Sequence, residues 1–256
     1  VKLGCCVPRE RIAPARDAGF EFVELTVVDN LCPLEDDTAW LPVGRELAAA
    51  ALPIEATNVF FPGDLRLVGP DADAAAIRAY VGRAVGRAAA LGVAVMVFGS
   101  GRARSAPEGY PRKRALQELG AVLEVLGEAG ARYGVTIALE PLCRAESNLV
   151  HTVAESVEVA RPLGNPWVGV LADSYHMAQE QEPPENLLAA GDLLRHVHVS
   201  DSDRGAPSEG GFGYAGLFVH LRQVGYDGRI SVECRWDDWE RESREAVALL
   251  RRLSQG

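Results

Sequence analysis

Short runs rich in β-branched residues alternate with longer amphipathic stretches along the whole chain, and this alternation restricts the fold more than any other feature. Eight runs read as strands, at 2–6, 22–27, 54–59, 93–98, 135–140, 168–172, 196–200 and 230–233. Helical periodicity follows most of them, at 8–18, 44–51, 73–91, 111–133, 153–162, 184–190, 216–224 and 238–253. A strand–helix unit repeated eight times closes into a parallel (β/α)8 TIM barrel. Gly19, Gly92 and Gly134 stand where a left-handed residue ends a helix. No Pro/Ser linker or break in composition marks a second unit, so 1–256 is read as one barrel domain. The longer loops 60–70 and 99–110 each follow a strand and therefore belong to the catalytic face.

The balance of 48% hydrophobic and 24% charged residues allows a large buried core. A formal net charge of −10 opposes any general grip on nucleic acid or on an anionic membrane, because both need Lys and Arg against phosphate. Cys5, Cys6, Cys32, Cys143 and Cys234 are odd in number and never spaced CxxC, which suggests neither a disulfide framework nor a zinc knuckle. No apolar run approaches a membrane span, and the opening residues are too short for a signal peptide. A cytoplasmic location is expected.

Side chains alternate between the two faces of a strand, so parity selects which polar residues enter the barrel. In the fifth run Val135, Ile137 and Leu139 share the helix-facing side, leaving Glu140 on the other. The same reading turns Asp173, His198 and Glu233 inward, each at or just beyond the C-terminal end of its strand, where TIM-barrel active sites form. Each residue alone has an ordinary explanation: an ion-pair partner, an Asx-turn former, a hydrogen-bonded core histidine. Three carboxylates converging with an imidazole repel one another unless a cation neutralises them, and that calls for a divalent metal. The oxygen-rich donor set suits Mn2+, Mg2+ or Co2+, with Zn2+ as a further alternative. His196, one layer deeper, is read as core or as support for a ligand.

The motifs around these residues resemble those of the xylose-isomerase-like TIM-barrel superfamily of sugar isomerases and epimerases, and within it the ketose 3-epimerase group. Leu139-Glu140-Pro141 with Glu146 six residues on is similar to the family's fifth-strand segment, which implies Glu140 as a metal ligand and Glu146 as a substrate contact. Asp173-Ser-Tyr-His176 resembles a D-x-x-H motif of ligand and substrate contact. His196-Val-His198, followed by Arg204, resembles an H-x-H segment whose second histidine binds metal and whose arginine touches substrate oxygens. Glu233 matches the final ligand and second base. Cys234 and Arg235, where many relatives carry proline and an aromatic residue, depart from the pattern, as does His151 in place of asparagine. Arginines in the 98–104 loop offer a guanidinium to an anionic substrate group, a solvated loop being the alternative.

The resemblance implies a metal-dependent isomerase or epimerase of a small sugar or sugar-like hydroxy-carbonyl substrate. Glu140 and Glu233 would be the catalytic pair, transferring protons through a metal-stabilised enediolate, with one ion, Mn2+ first among the candidates. Glu146, His176 and Arg204 would bind substrate, and a homo-oligomer is expected. A hydro-lyase or keto-acid isomerase on the same barrel, or a catalytically silent sugar-binding barrel, are the alternatives. The superfamily's DNA-repair branch fits poorly, since five histidines at these spacings do not supply a trinuclear site.

Overall fold

The computed structural model describes residues 1–256 and contains the eight expected strands. They are β1 (Lys2–Cys6), β2 (Phe22–Thr26), β3 (Ile54–Asn58), β4 (Val95–Phe98), β5 (Thr136–Leu139), β6 (Val168–Asp173), β7 (Leu194–Val199) and β8 (Arg229–Val232). Neighbours pair in parallel around the ring, and β8 returns to β1 with Val232 opposite Cys5, closing the barrel. Strand β5 ends one residue before the expected boundary because Pro141, just beyond Glu140, has no amide for the ladder. Gly19, Gly92 and Gly134 all adopt positive φ, at 100°, 79° and 73°, as the helix ends demand.

The helices depart from expectation in several places, among them short turns of helix at Val27–Asn30 and Gly101–Arg104. The second begins at Asp37 rather than at residue 44, since Asp36 caps it by accepting from the Ala39 amide at 2.9 Å. Pro42 inside that helix forfeits a single bond to the Thr38 carbonyl without ending it. After β6 a short helix, Ser174–Gln179, starts at once, because the Asp173 side chain accepts from the Tyr175 amide. The stretch expected as a helix over 184–190 is a 3-10 turn leading into Leu187–Ala190. No helix is long and apolar enough to cross a membrane.

Two apolar layers result from strand parity. Ile137, Leu139, Val197, Val199, Ile230 and Val232 pack outward against the helices. Phe22, Ala56, Val95, Val97, Ala138 and Leu171 form a separate plug inside the barrel. The plug is tight: a Cβ on Gly4 would overlap the Phe22 ring. Above it the interior turns polar, first with Glu24, His196 and Ser231, then with the carboxylates at the C-terminal mouth. A dry floor under a polar layer lowers the local dielectric and strengthens every charge interaction above it. Replacing Gly4 by leucine should overpack this floor and cost about 1–3 kcal/mol of stability, read as a lowered urea midpoint.

Candidate metal and substrate site

One ligand atom each from Glu140, Asp173, His198 and Glu233 lies within 4.8 Å of all the others at the barrel mouth. His198 is the pivot. Its Nδ1 sits 3.1 Å from Glu233 Oε2, 3.4 Å from Glu140 Oε1 and 3.9 Å from Asp173 Oδ2. Its Nε2 is 2.9 Å from Glu24 Oε1, and since an ionised carboxylate only accepts, the proton belongs on Nε2. That leaves Nδ1 buried, with no aligned hydrogen bond, facing three carboxylates. Only a cation, whether a proton or a metal ion, relieves that arrangement, and one nitrogen with three oxygens is a donor set that fits a divalent metal.

The protonation states show the same strain. Burial works against a charged His198, but Glu24 and then Glu233 outweigh it and raise its pKa well above the usual value. Burial raises Asp173, with His176 and Arg204 opposing. For Glu233 burial pushes upward, yet His198 and Arg204 prevail and hold the carboxyl down at about 2. The carboxylates are thereby driven to different affinities for a proton, as in sites that divide acid and base work between like groups.

Glu24 is the residue that the sequence reading missed. Fully enclosed, it accepts from His196 Nε2 at 2.7 Å, His198 Nε2 at 2.9 Å and Ser231 Oγ at 2.6 Å. This fixes the tautomer and the ring plane of His198, the task that carboxylates behind metal-binding histidines perform. His196 is thus a partner of Glu24 and not of the cluster itself. A signal was present: Glu24 lies in the strand run 22–27 with the inward parity of Phe22.

The three residues expected to touch substrate are placed differently from one another. His176 is buried, accepts the Cys143 amide on Nδ1 at 3.1 Å, and holds its unpartnered Nε2 3.8 Å from Asp173 Oδ2, beside the cluster. Arg204 reaches the cluster but is bonded to it, donating to Asp173 Oδ2 at 3.2 Å and Glu233 Oε2 at 2.8 Å, with its guanidinium 4.5 Å over the Tyr175 ring. Glu146 is exposed at the rim, near His176 and Cys143 rather than among the four. His151 bonds the Leu142 carbonyl at 2.9 Å and is a structural residue.

Of the two arginines in the 98–104 loop, Arg104 is not free to meet an anionic group. Arg104 is wholly buried and donates to the carbonyls of Glu140 at 2.7 Å, Val150 at 3.3 Å and Phe98 at 3.4 Å. Three convergent backbone oxygens compete for the guanidinium more effectively than solvent does, so it ties loops together instead of reaching a ligand. Arg102 is exposed and packs its methylenes against Gly63. Neighbouring Gly99 leaves room for the Glu140 carboxylate, which a Cβ there would strike.

A cavity of about 480 Å3 opens beside the cluster over β1–β3, lined by Cys6, Thr26, Asp29, Asn58, Val59 and Glu233 among others. Glu233 belongs to both cavity and cluster. The space next to the carboxylates therefore extends toward strands whose polar residues the sequence reading had not singled out.

The family model for xylose isomerase-like TIM barrels matches residues 12–253. The chain belongs to this family. The L-ribulose 3-epimerase of Methylomonas sp. (strain DH-1) is 28% identical over 233 residues, covering 88% of this chain and 77% of that protein. The ketose 3-epimerase of Arthrobacter globiformis is 26% identical over 235 residues, covering 88% and 76%. Among solved structures, the D-allulose 3-epimerase from Methylomonas sp. in complex with D-allulose has a TM-score of 0.85 at 22% identity, covering 98% of this chain and 96% of that one. That likeness speaks for the family's barrel. The structural role of Arg104 within it is open to test: Arg104→Met should cost about 1–3 kcal/mol in chemical denaturation by stranding buried carbonyls, with no selective loss of anionic over neutral ligands.

Proposed function

We propose that the chain is a sugar epimerase that inverts a carbon next to the carbonyl of a small ketose, using one divalent metal held by Glu140, Asp173, His198 and Glu233. The observation that carries this reading is the pair of carboxylates, Glu140 and Glu233, flanking the unpartnered His198 Nδ1, with Glu233 also lining a cavity. Membership of the family, and relatives named as 3-epimerases, support it. Mn2+ is the first candidate and Mg2+, Co2+ and Zn2+ are alternatives, because hard oxygen donors outnumber the single nitrogen. When bound, the ion supplies Lewis-acid stabilisation to negative charge developing on the substrate's oxygens.

The residues divide the remaining work. Proton removal beside a carbonyl needs an ionised base within hydrogen-bond reach of the carbon-bound proton, and inversion needs a second group to return a proton on the opposite face. Glu233 is kept ionised by His198 and Arg204 and borders the cavity. Glu140, braced by Gly99 and by the Arg104 bond to its own carbonyl, takes the other face. Whichever glutamate removes the proton depends on the epimer bound, and the other delivers one. Neutral His176, with its proton on Nε2, is a donor for a substrate oxygen, and Arg204 balances the carboxylates while the proton moves. Glu146 at the rim would meet the distal hydroxyls.

The deciding experiment is NMR of Mn2+-loaded protein with a panel of ketoses in heavy water. Deuterium should enter at a carbon adjacent to the carbonyl, and a chelator should abolish it; no exchange with any ketose would overturn the reading. Glu233→Gln should lower turnover by about 10^2–10^4-fold, the usual contribution of a positioned base, while the protein still folds. Glu24→Gln should weaken Mn2+ binding by roughly 10–100-fold in calorimetric titration, as loss of a carboxylate behind a ligating histidine does elsewhere.

A further inference from the structure

Glu233 presents two oxygens to two different surroundings. Oε2 faces the ligand cluster, 3.1 Å from His198 Nδ1 and 2.8 Å from Arg204 Nη2. Oε1 has one hydrogen bond, from Asn58 Nδ2 at 3.1 Å, and Asn58 and Glu233 together line the cavity. The oxygen that can meet a substrate proton without leaving the cluster is therefore Oε1, and Asn58 is what holds it.

The amide orientation is dictated by chemistry. A carboxylate accepts only, so the Asn58 nitrogen must face Glu233, and its second N–H reaches Cys6 Sγ at 3.4 Å. Both donors are thus used, while Asn58 Oδ1 is buried with no partner. The backbone beside it is also strained. Val59 has φ of 45°, a region that β-branched residues avoid, while Phe60, next along, is completely buried against Phe61 and Phe98. An orphaned carbonyl and a left-handed valine at consecutive positions are unfavourable features that persist where surrounding structure enforces a functional placement.

We propose that Asn58 is a positioning residue for proton transfer, turning Oε1 of Glu233 toward the substrate carbon. This rests on the epimerase reading above. In one direction the C–H bond breaks as its proton passes to Glu233 Oε1, and the Glu140 carboxyl gives its proton to the opposite face of the same carbon. The reverse direction exchanges the two roles. The terminal torsion of a glutamate is broad, so without the Asn58 amide Oε1 can swing about the contacts that hold Oε2. Asn58 touches Glu233 and not Glu140, so its removal impairs proton transfer on one face only.

The test uses Asn58→Ala and Asn58→Leu, Mn2+-loaded, with a ketose that the wild-type protein exchanges, starting separately from each epimer in heavy water. Turnover is expected to fall about 10^2-fold, the scale of a misplaced reacting group, with KM and Mn2+ affinity unchanged. From the epimer deprotonated by Glu140, deuterium should wash into recovered substrate faster than inversion occurs, raising the exchange-to-inversion ratio about tenfold or more over wild type. From the other epimer the ratio should not rise, because the slow step comes first. Equal change from both epimers, unchanged turnover, or parallel loss of Mn2+ binding would overturn the proposal while leaving the epimerase reading intact. Absence of exchange in the wild-type protein would remove both.

Discussion

Three carboxylates facing one imidazole nitrogen is an arrangement that a protein must work to maintain. At separations near 4 Å and an effective dielectric of about 20, each like-charged pair opposes the fold by about 4 kcal/mol. The barrel meets this from several sides. Arg204 bridges Asp173 and Glu233, and Asp173 gives its other oxygen to the start of the Ser174–Gln179 helix. Glu24 anchors the imidazole from below through a buried bond, so that its free nitrogen cannot rotate away from the carboxylates. The surrounding groups offset only part of the negative charge, and a cation at the centre would complete the balance.

Convergence depends on a geometric property of the parallel barrel. Strands β5 to β8 end side by side, with Asp173 opposite His198 and His198 opposite Ser231 in the ladder. Glu233 lies two residues beyond Ser231, and the stagger and tilt that closing a barrel imposes on its strands bring these inward residues together at the mouth. Below them Glu24 meets His196 and Ser231 across the barrel axis, which is narrow enough for a single carboxylate to reach both. The apolar plug beneath makes this polar layer dry, and a dry layer is where a fixed tautomer and a fixed ring plane persist. Fold and chemistry are linked through that floor.

Parity and strand-end position were legible in the sequence because they depend on periodicity within single strands, and Glu140, Asp173, His198 and Glu233 all follow from them. The alternative reading of Asp173 as a turn former holds: one oxygen caps the helix while the other faces His198 Nδ1. Glu24 escaped notice because its partners lie 172, 174 and 207 residues away, a separation that no local pattern encodes. Arg104 misled for a related reason. A guanidinium in a Gly-rich loop looks solvated until the chain is folded, and what buries it is a trio of carbonyls contributed by separate segments. The helix starts at Asp37 and Ser174 were not anticipated, because each is set by an aspartate side chain, Asp36 or Asp173, capping the amides just after it.

The mouth of the barrel divides into two halves with different tasks. Ligand-type residues occupy β5 to β8, while the open volume lies over β1 to β3, where Thr26, Asp29, Asn58 and Val59 shape it. Glu233 stands at the seam, held from the cluster side by Arg204 and from the cavity side by Asn58. A carboxylate gripped by only one of these would either bind a cation well and point poorly at a substrate, or the reverse. Because the two grips act on different oxygens, a change in the cavity wall would turn Oε1 without disturbing the contacts of Oε2. In the proposed epimerase the polar walls of β1 to β3 would set which substrate carbon is presented to Glu233, and β5 to β8 the chemistry that carbon meets.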